Sequence, residues 1–214
     1  MAWMGDEFNR EDLLIRNNPF FEKYKVVGGH FPFGLSKNIR GEKVYITTVR
    51  NPVERTISLF RYIQRRKCHH LHGLAMKKCL DEMLRESNVF KNQVSNLLIK
   101  YLSDVNLDGR RIASVEQVLN TLLSENFYVS DVRNINSLLD RLGKDLGIEK
   151  EIPVSYLNVN PKSGGTAEDV LYNDSNVCNE ILNNNLSDNE LIEELEKLYD
   201  ASGVLAPEKI GPLT

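Results

Sequence analysis

KVYITTVRNPVERTISLFRYIQRR, residues 43–66, changes its periodicity at Arg50, and that change decides the fold. From Lys43 to Val49 β-branched and aromatic residues run without interruption, the pattern of a strand buried in a parallel sheet. Beyond Arg50 the apolar residues Val53, Ile57, Phe60 and Ile63 recur on one face of a helix. Asn51 is placed to cap that helix. Pro52 suits its first position, where an N–H would have no partner, and Glu54 completes capping-box spacing. A strand, a tight turn carrying an arginine and a capped helix therefore follow one another.

Outward from this unit the same reasoning divides the chain into alternating elements. Upstream, the pattern predicts a short helix over residues 7–16, a turn at NNPFFEKY and a strand from Lys25 to Val27 that runs into Gly28 and Gly29. Downstream it predicts amphipathic helices over 74–87, 91–102 and Val115–Leu123, then a strand at Phe127–Ser130. A helix over 134–146 is closed by Gly147, a strand spans Val154–Val159, PKSGG from Pro161 is a loop, and Asn189–Tyr199 is helical. The asparagines around 183–185 read as a loop. Strands alternating with helices imply an α/β layer structure with a mainly parallel sheet.

A length of 214 residues with 41% hydrophobic content fits one domain spanning 1–214. The formal net charge of -3 argues against general nucleic-acid binding, which needs a basic excess to displace phosphate counterions. Any anionic ligand must be met by a local basic cluster. Three cysteines, Cys68, Cys79 and Cys178, lack CxxC spacing, so neither a disulfide framework nor a zinc knuckle is indicated, and a reducing, cytoplasmic setting is the expectation. The opening MAWMGDEFNREDLL is acidic and has no unbroken apolar run, so no signal peptide or membrane segment is expected.

Ligands of parallel sheets bind beyond the carboxyl ends of the strands, where backbone N–H groups and helix N-termini favour anions. Arg50 sits at such an end, and Ser58 lies two turns into the helix that follows. The plainer alternative pairs Arg50 with a carboxylate and packs Ser58 within the helix. His30, after the glycine pair, is an imidazole with a pKa suited to accept a proton at neutral pH, or else a histidine bonded at a strand end. Cys68, His69, His70 and His72 crowd within a few positions and have no second ligand group, so no metal is expected. Arg61, Arg65, Arg66 and Lys67 concentrate positive charge near the strand tip, as a solvated helix end or as a contact for an anionic acceptor.

The segment Arg50-Asn51-Pro52-Val53-Glu54-Arg55-Thr56-Ile57-Ser58 resembles the R-[DN]-P-[VI]-E-R-x-x-S segment of sulfotransferases that use 3′-phosphoadenosine 5′-phosphosulfate (PAPS), especially the heparan sulfate 2-O-sulfotransferase branch. GHFPFGL, HHLHGLAMKKCLDEML, NQVSNLLIKYL, FYVSDVRNINSLLDRLGKDLG and YLNVN follow in that family's order, so the resemblance covers roughly residues 25–200. It implies a P-loop-NTPase-like three-layer α/β fold. It further implies that Arg50 forks onto the 3′-phosphate of PAPS, that Ser58 donates to the same group, and that His30 is the catalytic base acting on a hydroxyl acceptor, with a carbohydrate or other glycan as the candidate.

The family ordinarily opens with a strand and a PK-[ST]-GGT loop that holds the 5′-phosphosulfate, and none precedes GGHFPFGL here. An N-terminally incomplete fold is therefore the expectation, its open sheet edge covered by the N-terminal helix or by a partner chain, as in a homo-oligomer. Pro161-Lys162-Ser163-Gly164-Gly165-Thr166 has the composition of that loop. It reads as the late basic loop that covers the cofactor, as a displaced phosphate loop, or as a surface turn; in the first two cases Lys162 contacts phosphate or sulfate. The alternative to a sulfotransferase is a catalytically inactive binding or interaction module on the same fold.

Overall fold

The computed structural model describes residues 2–4, 27–29, 32–34, 41–103, 113–148 and 171–208. The strand–arginine–helix unit forms as its pattern dictates. Strand β3 spans Tyr45–Val49 and helix α1 spans Pro52–Arg65. Asn51 Oδ1 accepts from the N–H groups of Val53 and Glu54 at 2.9 and 3.3 Å, which satisfies two of the donors a helix start leaves free. Ile57, Phe60 and Ile63 are buried along one face, with Val53 half-buried beside them.

Two short strands precede this unit. β1, Ala2–Met4, pairs in parallel with β2, Val27–Gly29. Gly28 and Gly29, expected just past a strand, are themselves in it. The expected helix over 7–16, the strand over 154–159 and the PKSGG loop lie outside the described residues.

The main sheet has the order β3-β4-β5, with β4 at Phe127–Asp131 and β5 at Val204–Leu205. β3 and β4 are parallel, from Tyr45 opposite Phe127 to Val49 opposite Asp131, and β5 is antiparallel to β4, so the sheet is mixed. β5 has only two residues, too few to show an alternation, and the sequence reading missed it.

Helices fill most of the remainder: α2 His72–Ala75, α3 Leu80–Glu86, α4 Asn88–Val94, α5 Leu97–Leu102, α6 Val115–Ser124, α7 Ile135–Asp145, α8 Ser175–Asn183 and α9 Leu186–Leu198. Both faces of β4 are covered. Phe127 and Val129 join Ile99 of α5, Val118 and Leu122 of α6 and Leu191 and Leu195 of α9, whereas Tyr128 joins Leu138 and Leu142 of α7. This alternation follows from the period of two along a strand. Gly147 closes the turn after α7 at φ +66°, a conformation glycine adopts without a Cβ penalty.

Two helices expected to be continuous are broken. α3 restarts at Cys79, whose N–H donates to Glu82 Oε2 at 2.8 Å, a local cap strong enough to start a new helix. Between α4 and α5 the chain turns at Asn96, which takes a left-handed conformation, φ 46° and ψ 47°. Tertiary bonds impose that turn. Asn96 Oδ1 accepts from the N–H groups of Ser187 and Asp188 at 3.1 and 3.2 Å in the first turn of α9, and its own N–H donates to Asn185 Oδ1 at 2.9 Å. Asp188 returns the favour, its carboxylate accepting from the N–H groups of Leu98 and Ile99 at 3.0 and 2.9 Å at the start of α5. The two helices cap one another.

Candidate functional site

The carboxyl end of the parallel pair β3 and β4 is where the charged residues of the strand tips collect. Arg50 leaves β3 directly after buried Val49 and its Nε donates to Glu54 Oε2 at 3.2 Å, with both side chains about one-third exposed. Glu54 and Ser58 are four residues apart on α1, so they lie one above the other on the same helix face. Arg50 and Glu54 thus pair at the N-terminus of a capped helix, and Ser58, half-buried, lies one turn beyond Glu54 on the same helix face.

Asp131, opposite Val49 in the register, ends β4 beside the Arg50 tip. Its carboxylate accepts from the N–H of Arg133 at 2.8 Å and from the Arg133 guanidinium at 2.7 and 2.9 Å, a two-pronged contact. Burial pushes the Asp131 carboxyl up, but the fork from Arg133 and the charge of Arg50 outweigh it and hold the group below its ordinary value. The carboxyl tip therefore carries Arg50 and Arg133 with the carboxylates of Glu54 and Asp131, and the Glu196 carboxylate also acts on Arg133 and Tyr199. Tyr199 packs against the cluster that contains Val49 and Val129.

Of the residues assigned from sequence, Arg50 stands at this corner and Ser58 lies two turns along α1 from it, while His30 and Lys162 lie outside the described residues. Gly29, before His30, ends β2. Phe33, three residues after His30, is buried against Tyr45 and Phe127 with ring centroids 4.9 and 5.1 Å away, at the amino ends of β3 and β4 and so at the opposite end of the sheet from Arg50.

The second arginine of the segment does different work. Arg55 turns away from the strand tip, and its guanidinium donates to Asp188 Oδ2 at 2.9 Å, Val94 O at 2.7 Å and Asn185 Oδ1 at 3.0 Å. Asp188 is fully buried. Arg55 thereby joins the crossed caps of α5 and α9 into one buried polar network, a role no spacing along the sequence announces.

The basic run after α1 has its own contacts. The guanidinium of Arg66 stands 5.4 Å from the centre of the Tyr62 ring. His69 and His70 stack with centroids 4.5 Å apart, His69 Nδ1 accepts from the N–H of Leu71 at 3.1 Å, and His72 Nδ1 donates to Ile63 O at 3.0 Å. Those bonds commit ring nitrogens to the backbone. Among the described residues no group of three or more histidine, cysteine, aspartate or glutamate side chains is arranged to hold a metal ion, and no helix is long and apolar enough to cross a membrane.

A shallow depression of about 420 Å³, lined in part by Ser137, Arg141, Lys144 and Asp200, lies at the α7 side of the molecule. It includes neither Arg50 nor Ser58. No protein-family model matches the chain, and no curated protein and no solved structure matches it either.

Proposed function

We propose that the chain is a sulfotransferase-like domain that binds a 3′-phosphoadenosine nucleotide at the carboxyl end of β3, within a P-loop-NTPase-like three-layer fold. The observation that supports this reading is the strand–Arg50–capped helix unit, in which Arg50 precedes the helix start and Ser58 follows two turns along it. Helices on both faces of β4 support the layered architecture. The donor set fits a phosphate: a guanidinium that forks onto anions, a hydroxyl, and the positive end of a helix.

In this reading Arg50 and Ser58 hold the 3′-phosphate, Lys162 offsets phosphate charge, and PAPS, when bound, supplies the sulfuryl group. His30 takes the proton from the acceptor hydroxyl as that oxygen bonds to sulfur, and the bond from sulfur to the phosphate oxygen breaks. A carbohydrate is the proposed acceptor. For Arg50 to engage the phosphate its contact with Glu54 must rearrange, since a carboxylate beside an anion is repulsive.

Calorimetric titration with 3′-phosphoadenosine 5′-phosphate tests the assignment. Hydrogen bonds to charged groups contribute about 1.5–3 kcal/mol, so Arg50→Ala should weaken binding on the order of tenfold or more. Equal affinity in wild type and variant removes the nucleotide assignment.

The Arg50–Glu54 contact favours a second reading, in which the arginine is a helix-start ion pair on a catalytically inactive binding or interaction module. Transfer of labelled sulfate from PAPS to a panel of glycans and small hydroxyl compounds separates the two. Nucleotide binding without transfer to any acceptor supports the module.

A further inference from the structure

The strand tip holds more anion-binding chemistry than Arg50 and Ser58 provide. Arg133 follows β4 by two residues, and β4 is the parallel neighbour of β3, so the two arginines leave adjacent strand ends in the same direction. Each also senses the other's carboxylate: the Arg50 charge acts on Asp131, and the Glu54 charge, with that of Glu196 from α9, acts on Arg133. Arg133 is held by its neighbour Asp131 yet is two-thirds exposed, so its guanidinium is oriented and accessible together.

Tyr199 adds an independent observation. Its hydroxyl is shielded from solvent and has no hydrogen-bond partner among the described residues. A buried hydroxyl without a partner costs on the order of 1–3 kcal/mol, which makes it the kind of group a ligand oxygen or water completes. Burial, followed by the Asp131 and Glu196 carboxylates, keeps the phenol protonated well above neutral pH, so it remains a donor.

We propose that Arg133 and the Tyr199 hydroxyl complete the anion site that Arg50 begins, making the tips of β3 and β4 a two-arginine subsite for a doubly charged phosphate group. Glu54 and Asp131 are then the unliganded resting partners that hold the guanidinia apart and aimed outward. The inference rests on reading Arg50 as a phosphate ligand and extends that reading to a second strand.

Titration of wild type, Arg50→Ala, Arg133→Ala, Arg133→Lys and Tyr199→Phe with 3′-phosphoadenosine 5′-phosphate tests it, with adenosine 5′-phosphate, which lacks the 3′-phosphate, as the comparison ligand. Arg133 is exposed and Phe preserves the packing of Tyr199, so these variants should fold, and circular dichroism checks that they do. We expect Arg133→Ala to lower affinity for the bisphosphate about tenfold, Arg133→Lys to recover part of the loss, and Tyr199→Phe to lower it about threefold, with adenosine 5′-phosphate binding unchanged. Loss of binding in Arg50→Ala alone, with Arg133→Ala and Tyr199→Phe both like wild type, overturns this inference and leaves the parent reading standing. If wild type binds neither nucleotide, the parent reading fails and this one with it.

Discussion

At the residue scale, Asp188 has the largest predicted effect. It is fully buried and its two oxygens serve Arg55 and two backbone N–H groups of α5. Removing one partner of a buried pair leaves an uncompensated charge, so Asp188→Ala should cost about 3–5 kcal/mol in urea unfolding; a loss below about 1 kcal/mol would show that the network is not the tie described above. His69 gives a pH signature. Burial first, then the neighbouring His70 and His72 charges, lower its pKa below 6.5, so the neutral ring is favoured in the folded state. Its contribution is present above pH 6.5 and is lost as pH falls through the lower folded value. NMR should find His69 Nδ1 unprotonated at neutral pH, accepting from Leu71, and titrating below its unfolded value. A titration at or above that value contradicts the bond.

Elements differ in how much of them the sequence exposed. α1 was legible because local and tertiary demands agree on the same residues: Asn51 caps, Pro52 starts, and Ile57, Phe60 and Ile63 face inward. Asn51→Ala should therefore cost about 0.5–2 kcal/mol, read as a lower unfolding midpoint, and an unchanged midpoint would mean the cap contributes nothing. The break at Asn96 was not legible, because its cause lies about ninety residues away in Ser187 and Asp188. Asn96→Gly keeps the left-handed backbone but loses the side-chain cap, while Asn96→Ala loses both. The alanine variant should be the less stable by about 0.5–1 kcal/mol, and the reverse order would exclude backbone strain as a factor at this turn. The candidate site divides the same way. Arg50 and Ser58 are neighbours along one helix and so could be paired on paper, but Arg133 and Tyr199 reach the corner only through the register of β3 with β4 and the packing of α9.

For the whole molecule, acid is the condition that strikes several contacts together. Asp131, Asp145 and Asp200 all have carboxyl groups held below the ordinary value of 3.8. At Asp131 and Asp145 burial acts upward and is outweighed by bonds from Arg133, and from Arg141 and Tyr128; at Asp200 the main cause is the Ser202 hydroxyl. Groups depressed in this way stabilise the fold above the unfolded pKa, and the contribution disappears as pH falls through the folded values. Urea midpoints should change little from pH 7 to about pH 5 apart from the His69 effect, then drop steeply below about pH 4. A midpoint that rises on acidification would reverse the sign assigned to these carboxylates.

The reciprocal capping of α5 and α9 also governs when the interior can form during synthesis. Until residues 185–188 have emerged from the ribosome, the start of α5 lacks its acceptor and the Arg55 guanidinium has no counter-charge. The start of α5 and the buried guanidinium are thus completed only when α9 is made, so their closing step waits on a segment about ninety residues downstream of α5.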